Sequence, residues 1–257
     1  MLFAELFALG FLASIFGSMV GLGGGFIVVP VLRLFFGVPP AIAAGTSLAL
    51  VLANSASGAT TYLLQRRVHV RTGWYIAIGA LPGSVLGAIA VKHASPKLFD
   101  LLFAILLITV AVDIVLNRSK RASGRQTAFE VPGLRGMKWP IALGTGFAIG
   151  FISSLFGVGG GVILVPSLLY FSDLPAHAIS ATSHFGIVLT SPVGVIAHIF
   201  QHDIRWADAI PLAAGGLLGG PLGARLSLKL RSDLLLRIVA VALVIAALAL
   251  VFRDVTG

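Results

Sequence analysis

No Asp, Glu, Lys or Arg occurs from Leu34 to Gln65, from Thr72 to Val91, from Trp139 to Ser172, or from Leu174 to His202. Such windows cannot cover the outside of a water-soluble globule. A soluble domain carries roughly a quarter of its residues as charges, whereas only 11% of this chain is charged. Each window holds at least one stretch of about 20 apolar residues, long enough as a helix to cross hydrocarbon roughly 30 Å thick. Alternating apolar segments of about ten residues, the mark of a membrane barrel, are absent. The fold class that follows is an all-α polytopic membrane protein.

Where the charges do fall is informative. The net charge of +9 is concentrated in short stretches between the apolar spans, as in the cytoplasmic loops that orient membrane proteins. That distribution argues against nucleic acid as a partner and for a lipid bilayer. The chain contains no cysteine, which removes disulfides, thiol catalysis and cysteine metal sites; neither metal nor cofactor is expected. The apolar N-terminus lacks a basic leader and carries Glu5, and its glycine run recurs later, so it is expected to be part of the fold and not a cleaved signal.

That recurrence is a duplication. Gly21-Leu22-Gly23-Gly24-Gly25-Phe26-Ile27-Val28-Val29-Pro30 matches Gly157-Val158-Gly159-Gly160-Gly161-Val162-Ile163-Leu164-Val165-Pro166 at an offset of 136. The register continues without a gap through Pro39/Pro175, Thr46-Ser47/Thr182-Ser183, Ser55/Ser191, Gly58/Gly194, Gln65/Gln201, Gly79/Gly215, Gly83/Gly219 and Leu86-Gly87-Ala88/Leu222-Gly223-Ala224. From residue 21 to 91 there are 22 identities in 71 aligned positions, too many for shared apolar composition to explain.

Residues 1–116 form a first membrane repeat, 117–138 a basic linker expected on the cytoplasmic side, and 139–257 a second repeat. Each repeat reads as about five helical segments: 3–19, 23–36, 41–64, 73–91 and 97–116, then 140–155, 159–171, 176–200, 208–227 and 233–252. Trp74, Trp139 and Trp206 stand at expected helix starts, where the membrane interface favours them. Five crossings per repeat invert the second copy and place 13 basic residues on the linker side against 5 opposite. Four crossings would keep the copies parallel and give a weaker split. Inverted-topology repeats are therefore expected. A re-entrant hairpin in place of the first two segments leaves three crossings and also inverts the second copy.

Short Gly/Pro-interrupted segments at matching positions of inverted repeats point to a binding site near the bilayer midplane. Here they are Gly23, Gly24 and Gly25 with Gly159, Gly160 and Gly161. A helix starting at such a run aims its positive end, about half an elementary charge, at whatever lies in front, and two facing ends would hold an anion. Close helix packing is the competing use of the same glycines. Pro30 and Pro166 are expected to break or kink the short helices. In the third segment Ser47, Asn54, Gly58 and Thr61 share one face, repeated by Ser183, Thr190, Gly194 and Ala197 or His198, with His184 and Ser191 alongside. Arg33 is expected to snorkel from its helix end and Asp113 to sit toward the linker.

The doubled Gly-x-Gly-Gly-Gly…Pro element, Gly45-Thr46-Ser47 with Ala181-Thr182-Ser183, and Gly79…Gly83…Gly87-Ala88 resemble the sulfite exporter TauE/SafE family, also called the 4-toluene sulfonate uptake permease family. The likeness covers nearly the whole chain. It implies a transporter in the bacterial cell (inner) membrane whose substrate is a small sulfur-containing anion: sulfite, sulfoacetate or a related organosulfonate. The residues it adds are the glycine hairpins and Thr46, Ser47, Thr182 and Ser183. Tyr62 replaces, in copy one, the residue that is His198 in copy two, which marks His198 as a proton or substrate contact of one half only.

Four other readings remain at this point. An anion channel or a proton-coupled uptake permease would use the same residues. An assembly subunit would show no flux alone. An intramembrane enzyme has only Ser180 and His184 to draw on, four apart on one helix; copy one has Ala44 and Leu48 there, and no acid orients the histidine. Oligomeric state is not written in the pattern.

Overall fold

The computed structural model describes residues 3–116, 136–227 and 232–256. Ten helices occur among them: α1 Phe3–Val20, α2 Gly25–Leu34, α3 Pro40–Leu64, α4 Val70–His93, α5 Pro96–Leu116, α6 Trp139–Phe156, α7 Gly161–Phe171, α8 Ala176–Phe200, α9 Trp206–Leu226 and α10 Ser232–Thr256. All ten expected segments are there. Except for residues 136–138, the linker lies outside the described residues. α1, α3, α4, α5, α6 and the stretch Ala178–Phe200 of α8 are each long and apolar enough to cross a membrane. Leu81, Val85, Leu86 and Ile89 of α4, Leu101, Ile105, Ile108 and Val112 of α5, and Ile210, Leu217 and Leu218 of α9 are exposed. Outward apolar faces of this extent suit lipid and not water.

The halves are interleaved. α4 packs on α6 and α1 on α9, so the fourth helix of each repeat lies along the first helix of the other; α3 meets α8, and α5 meets α10. Glycine makes the first two contacts. A Cβ on Gly79, Gly83 or Gly87 would run into the backbone of Leu143, Phe147 or Phe151, and one on Gly215, Gly219 or Gly223 into that of Phe7, Phe11 or Ile15. In lipid no hydrophobic force pulls helices together, so backbone approach at small residues carries the association. Both series rise in step, so α4 runs parallel to α6, and α1 to α9. The central pair runs the other way: Gly58, late in α3, meets His184, early in α8, while Gly194, late in α8, meets Leu48, early in α3.

The short helices start inside this bundle. The α1–α2 turn lies level with the middle of α3, because Asn54 Nδ2 donates to Gly23 O at 3.1 Å. From there α2, ten residues and about 15 Å long, runs out to where α3 begins. α1 and α2 therefore form a hairpin whose turn lies inside the bundle. Pro30 and Pro166 lie within α2 and α7, and both helices continue through them.

Arg33 also departs from expectation. Only 4% exposed, it does not snorkel. Its Nε donates to Asp100 Oδ1 at 2.8 Å, Nη2 closes a second bond to the same carboxylate, and Nη1 donates to Val38 O at 2.8 Å. This bidentate pair pins the outer end of α2 to the start of α5. Arg33→Met strands a buried carboxylate and should lower unfolding stability in detergent by about 3–5 kcal/mol, whereas Arg33→Met with Asp100→Leu should recover most of that loss.

Candidate functional site

At the centre the two glycine turns touch through bare backbone. Gly24 precedes α2 with φ 85 and Gly157 ends α6 with φ 69, values that L side chains rarely adopt. A Cβ on Gly25 would strike the Gly157 carbonyl, and one on Gly161 would strike that of Gly21. The turns of opposite halves thus lie against each other. Several of their amides are already used: Gly21, Leu22 and Gly23 N–H converge on Gly17 O, and Gly160 N–H donates to Ser153 Oγ at 3.0 Å. The first N–H groups of α2, at Gly25 and Phe26, have no intrahelical acceptor by the geometry of a helix start.

Hydroxyls surround the crossing. Ser183 Oγ donates to Gly21 O at 2.7 Å. Ser47, its counterpart, lies beside Gly25, and its buried hydroxyl has no hydrogen-bond partner among the described residues. Elsewhere, the buried hydroxyls of Ser14, beside Gly216, of Ser154, beside Gly194, and of Ser191 also have no hydrogen-bond partner among the described residues. Thr46 and Thr182 lie elsewhere. Thr46 Oγ1 accepts from Arg205 N–H at 3.1 Å and Thr182 Oγ1 from His69 N–H at 3.0 Å. Each holds the entrance of the other half's fourth helix.

Asn54 and His184, from different halves, converge on one residue that the sequence pattern did not single out. Ser18 Oγ donates to Asn54 Oδ1 at 2.8 Å and lies 3.1 Å from His184 Nε2. Since the only hydroxyl proton of Ser18 goes to Asn54, Nε2 of His184 carries the hydrogen and donates. His184 Nδ1 then stays an acceptor, buried and without a partner. Tyr62 OH donates to Ser18 O at 2.7 Å, and its ring stands edge-on to His184 with centroids 5.6 Å apart. All four side chains are fully buried. The signal for Ser18 was its match to Ser154 at the repeat offset, just upstream of the glycine run.

The two repeats differ most at the ends of α3 and α8. In the first, Tyr62 bonds the Ser18 carbonyl and Arg67 lies over its ring at 5.1 Å. In the second, His198 Nε2 bonds the Ser154 carbonyl at 2.9 Å and Asp203 faces the ring, Oδ2 to Nδ1 3.7 Å. The frame is the same and the charge is opposite. Burial pulls the Arg67 guanidinium below its ordinary pKa, with Tyr62 opposing the shift. His198 is thus tied to the end of α6 and not to the glycine crossing. Ser180 Oγ bonds Val20 O at 3.4 Å while His184 turns to Ser18. Among the described residues no group of three His, Asp or Glu could hold a metal.

The sequence model described as "Sulfite exporter TauE/SafE" matches residues 6–250. The chain is 29% identical over 271 residues to "Probable membrane transporter protein YunE" of Bacillus subtilis (strain 168), covering 99% of each. It is 29% identical to "Probable membrane transporter protein MJ0441" of Methanocaldococcus jannaschii over 87% of each chain. A "Probable membrane transporter protein" of Haemophilus influenzae is 28% identical, over 88% of this chain and 85% of that one. No solved structure matches. A duplicated bundle of apolar, membrane-length helices around a buried polar centre agrees with these likenesses: the chain belongs to the sulfite exporter TauE/SafE family, a family of multi-pass membrane transporters.

Proposed function

We propose that this transporter carries small sulfur-containing anions, sulfite, sulfoacetate or related organosulfonates, and exports them from the cell across a bacterial inner membrane. The observation that carries the reading is chemical. At the crossing of the two glycine turns, the buried Ser47 hydroxyl, which has no hydrogen-bond partner among the described residues, stands beside the start of α2 at Gly25. Hydroxyl and peptide N–H groups are donors suited to a tetrahedral oxyanion, and a helix start adds a favourable potential. None of the groups named at the crossing is a lysine or arginine. Such a site binds an anion without trapping it in a permanent ion pair.

Opposite running directions of α3 and α8, with the halves interleaved, support an inverted pair of repeats. Rocking of one half against the other would expose the crossing to each face in turn. The end of the bundle that carries Arg66, Arg67, Arg71, Lys138 and Arg225 is the cytoplasmic one by its charge. With the interior negative, each exported negative charge gains about 2.3 kcal/mol per 100 mV, so export needs no coupling ion.

Purified protein in proteoliposomes should move sulfite or a sulfonate with saturable kinetics, and a thermal-shift screen should favour sulfur oxyanions over carboxylates. Ser47→Ala is the sharper test, because Ser47 Oγ has no protein partner to lose. Melting temperature should hold, while affinity falls about five- to tenfold for one lost hydrogen bond. Equal affinity in the variant would remove that hydroxyl from the site. Complete insensitivity of flux to Gly24→Leu combined with Gly160→Leu would count against the glycine crossing itself.

Orientation can be read separately, since the chain has no cysteine. A cysteine at Gly37, in the exposed α2–α3 loop, should react in intact cells with a membrane-impermeant maleimide. One at Arg66 should not. The reverse pattern would invert the proposed topology.

A further inference from the structure

We propose that His198 and Asp203 form a proton-binding site that latches the α8–α9 loop to α8, making transport by this chain depend on pH at the face that bears Asp203. The site goes beyond the anion crossing, although the flux test below rests on the transporter reading. The case starts from hydrogen-bond inventory. His198 Nε2 lies 2.9 Å from the Ser154 carbonyl, which can only accept, so Nε2 carries a hydrogen. In the neutral ring Nδ1 is then a bare lone pair. It faces Asp203 Oδ2 at 3.7 Å, and a carboxylate oxygen also offers only lone pairs. Both atoms are buried, and neither has a hydrogen-bond partner among the described residues. Two acceptors confront each other across a gap that one proton would turn into an N–H···O bond.

Arg205 Nη1 already donates to Asp208 Oδ2 at 3.2 Å at the start of α9. Lys92 acts on His198 from the last turn of α4. α6 contributes the Ser154 carbonyl, and α3 contributes Gly45, whose missing side chain leaves room for the imidazole and the Asp203 backbone. Asp203 N–H donates to His198 O at 3.0 Å, holding the carboxylate in register.

The first repeat supplies an internal control. There the backbone bond recurs as Arg67 N–H to Tyr62 O at 3.3 Å, and the Tyr62 hydroxyl does the work of His198 Nε2. The charge beside it is the Arg67 guanidinium, which carries only N–H donors and no lone pair to take up a proton. The corresponding loop of the first half is therefore held at any pH. Of these two equivalent positions, only that of the second half carries an imidazole, whose free nitrogen can take up a proton. The loop that gains the latch also carries Arg205 N–H to Thr46 Oγ1, one of the contacts that join the halves.

The probe is the proton itself, on the full chain purified in detergent or nanodiscs. Nitrogen-15 histidine spectra recorded across an acidifying pH range should show Nδ1 of His198 gaining a proton, with hydrogen exchange at residues 201–205 slowing about tenfold as it does. Asp203→Asn places an amide donor against Nδ1 permanently, so this variant should show slow exchange at every pH in that range. In proteoliposomes its flux should equal the acid-side flux of the native protein and lack the native pH step. His198 remaining singly protonated throughout, or Asp203→Asn titrating like the native protein, would overturn the latch. The spectra and exchange need no substrate, so failure of sulfite flux alone leaves them to decide.

Discussion

The rest of the structure depends on backbone touching backbone between the two halves. Lipid offers helices no hydrophobic reason to leave it for one another, so what holds them is close approach and the dispersion it permits. Glycine supplies that approach along α4 on α6, along α1 on α9, and at the Gly25–Gly157 and Gly161–Gly21 crossings. Because each contact joins one repeat to the other, neither half has a complete centre alone. The polar residues inherit their positions from this frame: Asn54 reaches Gly23 only because the α1 turn is pressed against α3.

Duplication sets the geometry and divergence sets the chemistry. Ser18 and Ser154, Asn54 and Thr190, Leu48 and His184, Tyr62 and His198, Arg67 and Asp203 are equivalent pairs at the same offset. Around Ser18, the side chains of Ser18, Asn54, His184 and Tyr62 form a connected buried network. Around Ser154, its Oγ has no hydrogen-bond partner among the described residues, and Thr190 bonds the Ile187 carbonyl of its own helix. A duplicated frame with unlike polar contents need not treat its two faces alike.

Buried polar groups serve three distinct ends here, and position separates them. The Arg33–Asp100 pair is fully hydrogen-bonded and fastens α2 to α5. Thr46 and Thr182 accept from backbone at helix entrances. Ser47, Ser191 and the Nδ1 atoms of His184 and His198 keep unused capacity. An unmet hydrogen-bonding group in a low-dielectric interior is costly, and the proposed anion site and proton latch rest on such groups.

Composition and periodicity by themselves determined the membrane class, the duplication and all ten helices, because each rests on local free energy: apolar length against bilayer thickness, glycine and proline against helix propagation. They also placed Asn54 and His184 on polar faces. What they could not decide was which hydroxyls meet a backbone amide and which stay free, since Thr46 and Ser47 are neighbours in sequence with the same local signal. Nor could they couple Arg33 to Asp100, 67 residues apart, or bring Ser18 between Asn54 and His184. Those outcomes depend on contacts between distant segments, and only the packing of one half into the other sets which donor finds which acceptor.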